Sequence, residues 1–304
     1  MTIIKGDRMT NRAVVFCVKG LHIMLTATAI TSLIKHYKSA NPMKVLVIME
    51  GGYQEDIDFI RQMPQLYGKE QVSIDFWTPP YDMMEKVSDH FETGTKLPKM
   101  VLWRLLLPYY FQAYDQLAYL DNDVLVTTDV NELFDQLTPG DILGGVLDYE
   151  DATHPNHNRA KEFFLPSTDQ YINAGVFVAN ARAYRAFAPF DKMMAAINRR
   201  NYPYGDQNII NVVFYQHIHL LPWRFNLQYD DRLLDKYEHL APQRVNEIRS
   251  QLDRPGIIHF ASNGYFPMPW DKFTPTTHWE RLWWQTFAEI KKKQLAFLNP
   301  GQQK

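Results

Sequence analysis

The stretch YLDNDVLV, residues 119–126, sets two aspartates inside an apolar run. Leu117, Ala118, Tyr119 and Leu120 precede Asp121, and Val124, Leu125 and Val126 follow Asp123. Successive strand residues face opposite sides, so the two aspartates share a face if the strand continues through them. At a rise of ~3.3 Å per residue their carboxylates then lie about 6–7 Å apart. Two negative charges that close, beside apolar neighbours, are costly unless a cation compensates them. Hard oxygen ligands suit Mg2+ or Mn2+. A polar turn with solvated carboxylates reads the same Asp-Asn-Asp nearly as well from these residues alone.

Working outward, residues 13–18, 44–49, 71–76 and 116–120 are apolar runs of strand length. Residues 24–37, 56–67 and 99–111 lie between them with helical spacing, the last of these kinked or ended by Pro108. This alternation predicts an α/β fold: a mostly parallel sheet with helices on both faces. The second half is less regular. Residues 141–147, 171–178 and 256–260 read as strands, and 181–199 and 206–215 as helices. Residues 278–298 form an amphipathic helix with Trp279, Leu282, Trp283, Phe287 and Ile290 near one face. The expected organisation is one domain over 1–275 and a C-terminal helical extension over 276–304.

Bulk properties narrow the function. A chain of 304 residues holds one large α/β domain or two small ones. A net charge of −2 supplies no basic field to recruit nucleic acid. Cys17 is the only cysteine, which excludes a disulfide framework and a cysteine zinc cluster. No segment approaches the ~20 apolar residues of a membrane span, and the first apolar run is short for a signal core. The expectation is a soluble, cytoplasmic protein. The C-terminal helix with Lys291, Lys292 and Lys293 leaves peripheral contact with an anionic membrane as a minor alternative to packing on the domain.

Three further segments accompany the aspartates, each at the edge of a predicted element. Residues 171–180 (YINAGVFVAN) bury an amide in an apolar strand, where it needs a partner or a ligand. Residues 205–211 (GDQNIIN) place Asp206 and Gln207 at a helix start. Residues 257–270 (IIHFASNGYFPMPW) end a strand on His259 ahead of a Gly/Pro/aromatic loop.

With these segments in this order, residues 13–270 resemble the retaining glycosyltransferases of family 8, which include bacterial lipopolysaccharide galactosyl- and glucosyltransferases and glycogenin. YLDNDVLV is similar to the family's Asp-x-Asp segment, YINAGVFVAN to its Asn-Ala-Gly strand and YGDQNIIN to its Asp-Gln motif. The segment from His259 to Trp270 is similar to its C-terminal His…Lys-Pro-Trp motif. The resemblance implies a Rossmann-like, GT-A type nucleotide-sugar-binding domain. It implies Mn2+ (or Mg2+) on Asp121, Asp123 and His259, bridging the phosphates of a nucleotide-sugar. It implies Gln207 and Asp206 as the catalytic pair, with the Gln207 amide near the anomeric carbon. Arg104, Asp148, Asn173, Asn122, Gly264, Phe16, Cys17, Lys19 and His22 would line the sugar and nucleotide sites. The implied reaction moves a hexose, glucose or galactose, from a UDP-sugar to a glycan, glycoprotein or lipid-linked acceptor.

Two positions depart from the family pattern. Lys19 stands in the stretch where the family has acidic residues and a tyrosine for uracil, and an ammonium only donates. Met268 stands where the motif has lysine before Pro269-Trp270. Two other readings compete: a sugar- or nucleotide-binding relic of the family, and an Asp-x-Asp phosphatase, which would carry its pair on the first strand.

Overall fold

The computed structural model describes residues 11–88, 98–154, 159–228, 230–261 and 267–299. Its centre is a seven-stranded sheet in the order β3-β2-β1-β4-β7-β6-β8. The strands are β1 (Arg12–Lys19), β2 (Met43–Glu50), β3 (Val72–Trp77), β4 (Gln116–Leu120), β6 (Leu143–Leu147), β7 (Ile172–Asn180) and β8 (Ile218–Leu220). All run the same way except β7, which is antiparallel to both neighbours. Both faces are covered, which is why the strands read as continuous apolar runs. Alternate residues of β1 divide between two cores: Val14, Phe16 and Val18 join one, Ala13 and Val15 the other. The helix Ile23–His36 closes the first core with Ala27, Ile30 and Leu33. The helix Trp103–Tyr110 closes the second with Leu105 and Leu106.

The direction of β7 decides where function gathers. Ligands of parallel sheets bind beyond the carboxyl ends of the strands. A reversed strand brings its beginning to that edge, so Asn173, Ala174 and Gly175 arrive beside the end of β4. Leu120 is paired with Val176, and the amide of Asp121 donates to the Gly175 carbonyl at 2.8 Å.

The run through the aspartates is not one strand. β4 stops at Leu120, Asp121–Asp123 turn, and β5 (Val124–Val126) leaves the main sheet. It pairs antiparallel with β9 (Ile257–His259) in a separate two-stranded sheet. The helix expected over residues 181–199 is two, Ala181–Phe187 and Phe190–Asn198. Pro189 lacks an N–H and biases Ala188 out of the helical region, to φ −121° and ψ 88°.

The helix His278–Leu298 starts at a capping box between Thr277 and Glu280. Its aromatic face packs inward. Trp283 is fully buried against Leu125 and Ile258 of the small sheet and stacks on Phe287 at 5.1 Å. Ile290 joins the main core. Among the described residues no helix is long and apolar enough to cross a membrane.

Candidate active site

The turn after β4 and the end of β9 bring Asp121, Asp123 and His259 together. One ligand atom from each lies within 4.8 Å of the others. The Val124–His259 pair sets this approach, and the Phe260 amide donates to the Asp123 carbonyl at 2.9 Å. His259 Nε2 sits 3.3 Å from Asp123 Oδ1 and 3.9 Å from Asp121 Oδ2. The turn replaces the shared strand face, and it brings the acids closer to a common point than a straight strand would.

A chain of amides fixes which imidazole nitrogen faces the acids. The Gly175 amide donates to Asn173 Oδ1 at 3.0 Å, so that atom is an acceptor. Asn226 Nδ2 also donates to it at 3.0 Å, which leaves Asn226 Oδ1 facing His259 Nδ1 at 2.9 Å. The Nδ1–H therefore donates to Asn226, and Nε2 is turned toward the two carboxylates. This is how a histidine ligand is oriented by its second nitrogen.

The site fits a divalent cation on its own chemistry. Asp123 Oδ1 is buried and accepts no hydrogen bond among the described residues. A Cβ added to Gly175 would lie 2.2 Å from His259 Cε1 and 2.7 Å from Asp121 Oδ2, so only glycine leaves the corner open. Burial alone would lower the His259 pKa; attraction to Asp123 and Asp121 more than offsets it and holds the imidazole above its ordinary value. Burial pushes Asp123 up, and the imidazole beside it brings it below the usual carboxylate range. Two oxygens and one imidazole nitrogen suit Mn2+ or Mg2+ better than a soft metal.

Arg104 braces the acids from behind. Its Nη2 is 3.0 Å from Asp121 Oδ1, its Nε is 3.0 Å from Asp206 Oδ2, and Nη1 donates to the Ala174 carbonyl at 3.0 Å. The guanidinium lies over the Tyr119 ring, and Tyr119 Oη donates to Asp121 Oδ1 at 2.6 Å. Burial raises the Asp206 carboxyl to about 6 despite that arginine.

Next to the corner lies a second polar group. Asp148 Oδ1 caps the short helix Tyr149–Thr153, accepting from the amides of Glu150 and Asp151 at 3.1 and 3.4 Å. Its Oδ2 accepts from Asn173 Nδ2 at 3.2 Å and Gln207 Nε2 at 3.1 Å. Gln207 Oε1 accepts from the Ala174 amide at 3.1 Å, so this amide is held at both ends yet stays half-buried. Gln207 stands in the first turn of the helix Gly205–Val213, whose opening glycine has φ +50°. Asn211 pins that helix to β7 by exchanging hydrogen bonds with both backbone groups of Ile172 at 2.8 Å.

Residues 13–273 match the description Glycosyl transferase family 8. The chain belongs to glycosyl transferase family 8. It is 25% identical over 238 residues to general stress protein A of Bacillus subtilis (strain 168), covering 75% of this chain and 77% of that protein. It is 29% identical over 183 residues to lipopolysaccharide 1,2-glucosyltransferase of Escherichia coli, covering 57% of this chain and 51% of that one. The fold is similar to that of galactosyltransferase LgtC in complex with donor and acceptor sugar analogs. That likeness has a TM-score of 0.72 at 17% identity, over 92% of this chain and 99% of the other. The protein is therefore a glycosyltransferase with a GT-A type fold.

The remaining family 8 positions are unevenly placed. Lys19 ends β1, exposed, and is paired in register with Glu50 of β2. His22 is exposed in the turn that follows. Lys19 and Glu50 border a cavity of about 430 Å3 whose rim carries Tyr81, at the carboxyl ends of β1 to β3. Cys17 is half-buried, and burial pushes its thiol far up, so it stays neutral. Asn122 is half-buried in the turn between the acids. Phe16 has no exposed surface: its side chain belongs to the core and its backbone pairs with Val47 of β2, so it does not line the site as expected. Gly264 lies outside the described residues. Asn226, which orients His259, was not anticipated. It is a fully buried amide in an apolar setting, the signal that singled out Asn173.

Proposed function

We propose that the protein is a retaining hexosyltransferase that moves glucose or galactose from a UDP-sugar to a hydroxyl of a glycan, glycoprotein or lipid-linked acceptor. Mn2+, or Mg2+ in its place, would be held by Asp121, Asp123 and His259. The observation that carries this reading is the corner itself: three ligand atoms within 4.8 Å, one a buried carboxylate oxygen with no hydrogen bond. A dication there supplies positive charge to the departing diphosphate. The chain's own groups supply the rest. Asp148, held by Asn173 and Gln207, presents a fixed carboxylate to sugar hydroxyls. Arg104 bridges Asp121 and Asp206 with one guanidinium.

The stereochemical outcome is argued from which groups are committed. Asp148 accepts four hydrogen bonds and Asp206 is paired with Arg104, so neither resembles a free nucleophile. The Gln207 amide is the half-buried group beside them, and attack from the leaving-group face with retention is consistent with that arrangement. The names of the E. coli glucosyltransferase and of LgtC support a hexose donor.

The test follows UDP release from UDP-glucose and UDP-galactose as Mn2+ is titrated. We expect saturable, metal-dependent release that falls at least ~100-fold in Asp123→Asn, which removes a metal ligand without opening a cavity. Release that survives chelation, or an unimpaired Asp123→Asn, would overturn the reading.

A further inference from the structure

His259 has a second neighbour besides the two acids. It also forms part of the wall of a cavity of about 370 Å3. Gln228 lines the same cavity. Its Oε1 accepts from the Tyr149 amide at 3.1 Å and its Nε2 donates to the Leu147 carbonyl at 3.2 Å, so it grips the chain on both sides of Asp148. The cavity thus touches a residue that would hold the metal and is fastened to the segment that would hold the sugar. An attacking hydroxyl has to come from between those two.

The outer walls are built by the start of the helix Asp231–Tyr237 and the start of the C-terminal helix. Their side chains include Asp230, Arg232, Lys272, Trp279 and Glu280. A second cavity, also about 370 Å3, shares Asp230, Arg232 and Trp279 and extends to Leu252 and Arg281. Each is of a size that holds a small ligand. Together they form two compartments in series along one indole.

The charges in the first compartment cancel in pairs. Arg232 Nη2 is 3.1 Å from Asp230 Oδ2, and its Nη1 donates to Thr276 Oγ1 at 3.2 Å. Lys272 Nζ is paired with Glu280, whose other oxygen accepts from the Thr277 amide at 3.2 Å. A phosphorylated or sialylated ligand needs a cation without a carboxylate partner, and the described wall of this compartment presents none. Paired charges and a buried amide suit hydroxyl groups, which both donate and accept. The half-buried Trp279 adds an apolar face for the C–H side of a sugar ring.

We propose that the compartment against His259 binds the acceptor as an uncharged oligosaccharide, with one unit against His259 and the next along Trp279. The proposal rests on the transferase reading and adds the class of acceptor. The test is a calorimetric titration of the full chain with Mn2+ and UDP present. The probes are maltotetraose and lacto-N-neotetraose, each set against the methyl glycoside of its terminal sugar, and a phosphorylated glucan fragment. We expect one neutral tetrasaccharide to bind about tenfold tighter than its monosaccharide. Trp279→Ala should remove that advantage and Trp279→Phe keep most of it; because the readout is a ratio of affinities, a loss of folded fraction cancels. Equal affinities, an advantage that survives Trp279→Ala, tighter binding of the phosphorylated fragment, or binding of UDP with Mn2+ but of no saccharide would each overturn it. If UDP with Mn2+ also fails to bind, the transferase reading is what has failed.

Discussion

At the scale of single residues, Gly175 carries the site by having nothing on its Cα. Gly175→Ala would drive a methyl group into His259 Cε1 and Asp121 Oδ2. We expect Mn2+ affinity to fall about 10–100-fold by calorimetry, as when a metal ligand is displaced, with the circular dichroism spectrum unchanged. Asp151 is a second informative residue. Burial, aided by Asp148, raises its carboxyl to about 7, although Arg159 Nη1 lies 3.9 Å away. A carboxyl raised in the folded state is protonated there while the unfolded chain is already ionised. Its contribution to stability is therefore full below pH ~4 and is lost as pH rises to about 7. Asp151→Asn should match the wild type near pH 4 and exceed it at pH 8, by on the order of 2 kcal/mol once solvent screening is allowed for. Denaturant melts across that range measure the gap; a constant difference between the two proteins would contradict the assignment. The acids and His259 were legible because carboxylates in an apolar run break a pattern. Asn226 was not, since its partner His259 is brought close only by the Leu227–Ile258 bridge, a contact that leaves no spacing in the sequence.

At the scale of elements, legibility followed length. The long apolar strands β1, β2 and β4 and the C-terminal helix could be read because repeated spacing accumulates over their residues. The small sheet could not. Val124–Val126 looks like the end of β4, and only its pairing with Ile257–His259 shows otherwise. Pro189 is a visible signal that one helix should be two, although helical spacing continues on either side of it. The C-terminal helix is the element with the largest reach, because Trp283 holds Leu125 and Ile258 from behind the cation corner. Trp283→Ala should cost about 3–5 kcal/mol through the cavity it opens. It should also weaken Mn2+ binding in the fraction that stays folded. Urea melts with and without Mn2+ separate these effects, and a variant with full metal affinity would show that the helix supports stability alone.

At the scale of the whole molecule, the cation corner joins distant parts of the chain. Binding there favours only the folded state, by about 2.7 kcal/mol at a hundredfold excess over Kd. Mn2+ with UDP should raise the melting temperature, and chelation should reverse the rise. The effect should be larger at pH 8 than at pH 6, because the proton that the acids hold on His259 competes with the metal. A shift that is independent of pH would place the metal elsewhere. Most of the aromatic face of the last helix packs on the core, Lys291 donates to Gln294, and Lys293 lies over Tyr67. The antiparallel pairing of β5 with β9 has one more consequence, for synthesis. A ribosome extrudes both aspartates well before the histidine, so a nascent chain can lay down its first four strands before Asp121, Asp123 and His259 can meet. The corner can close only once residue 259 has cleared the exit tunnel.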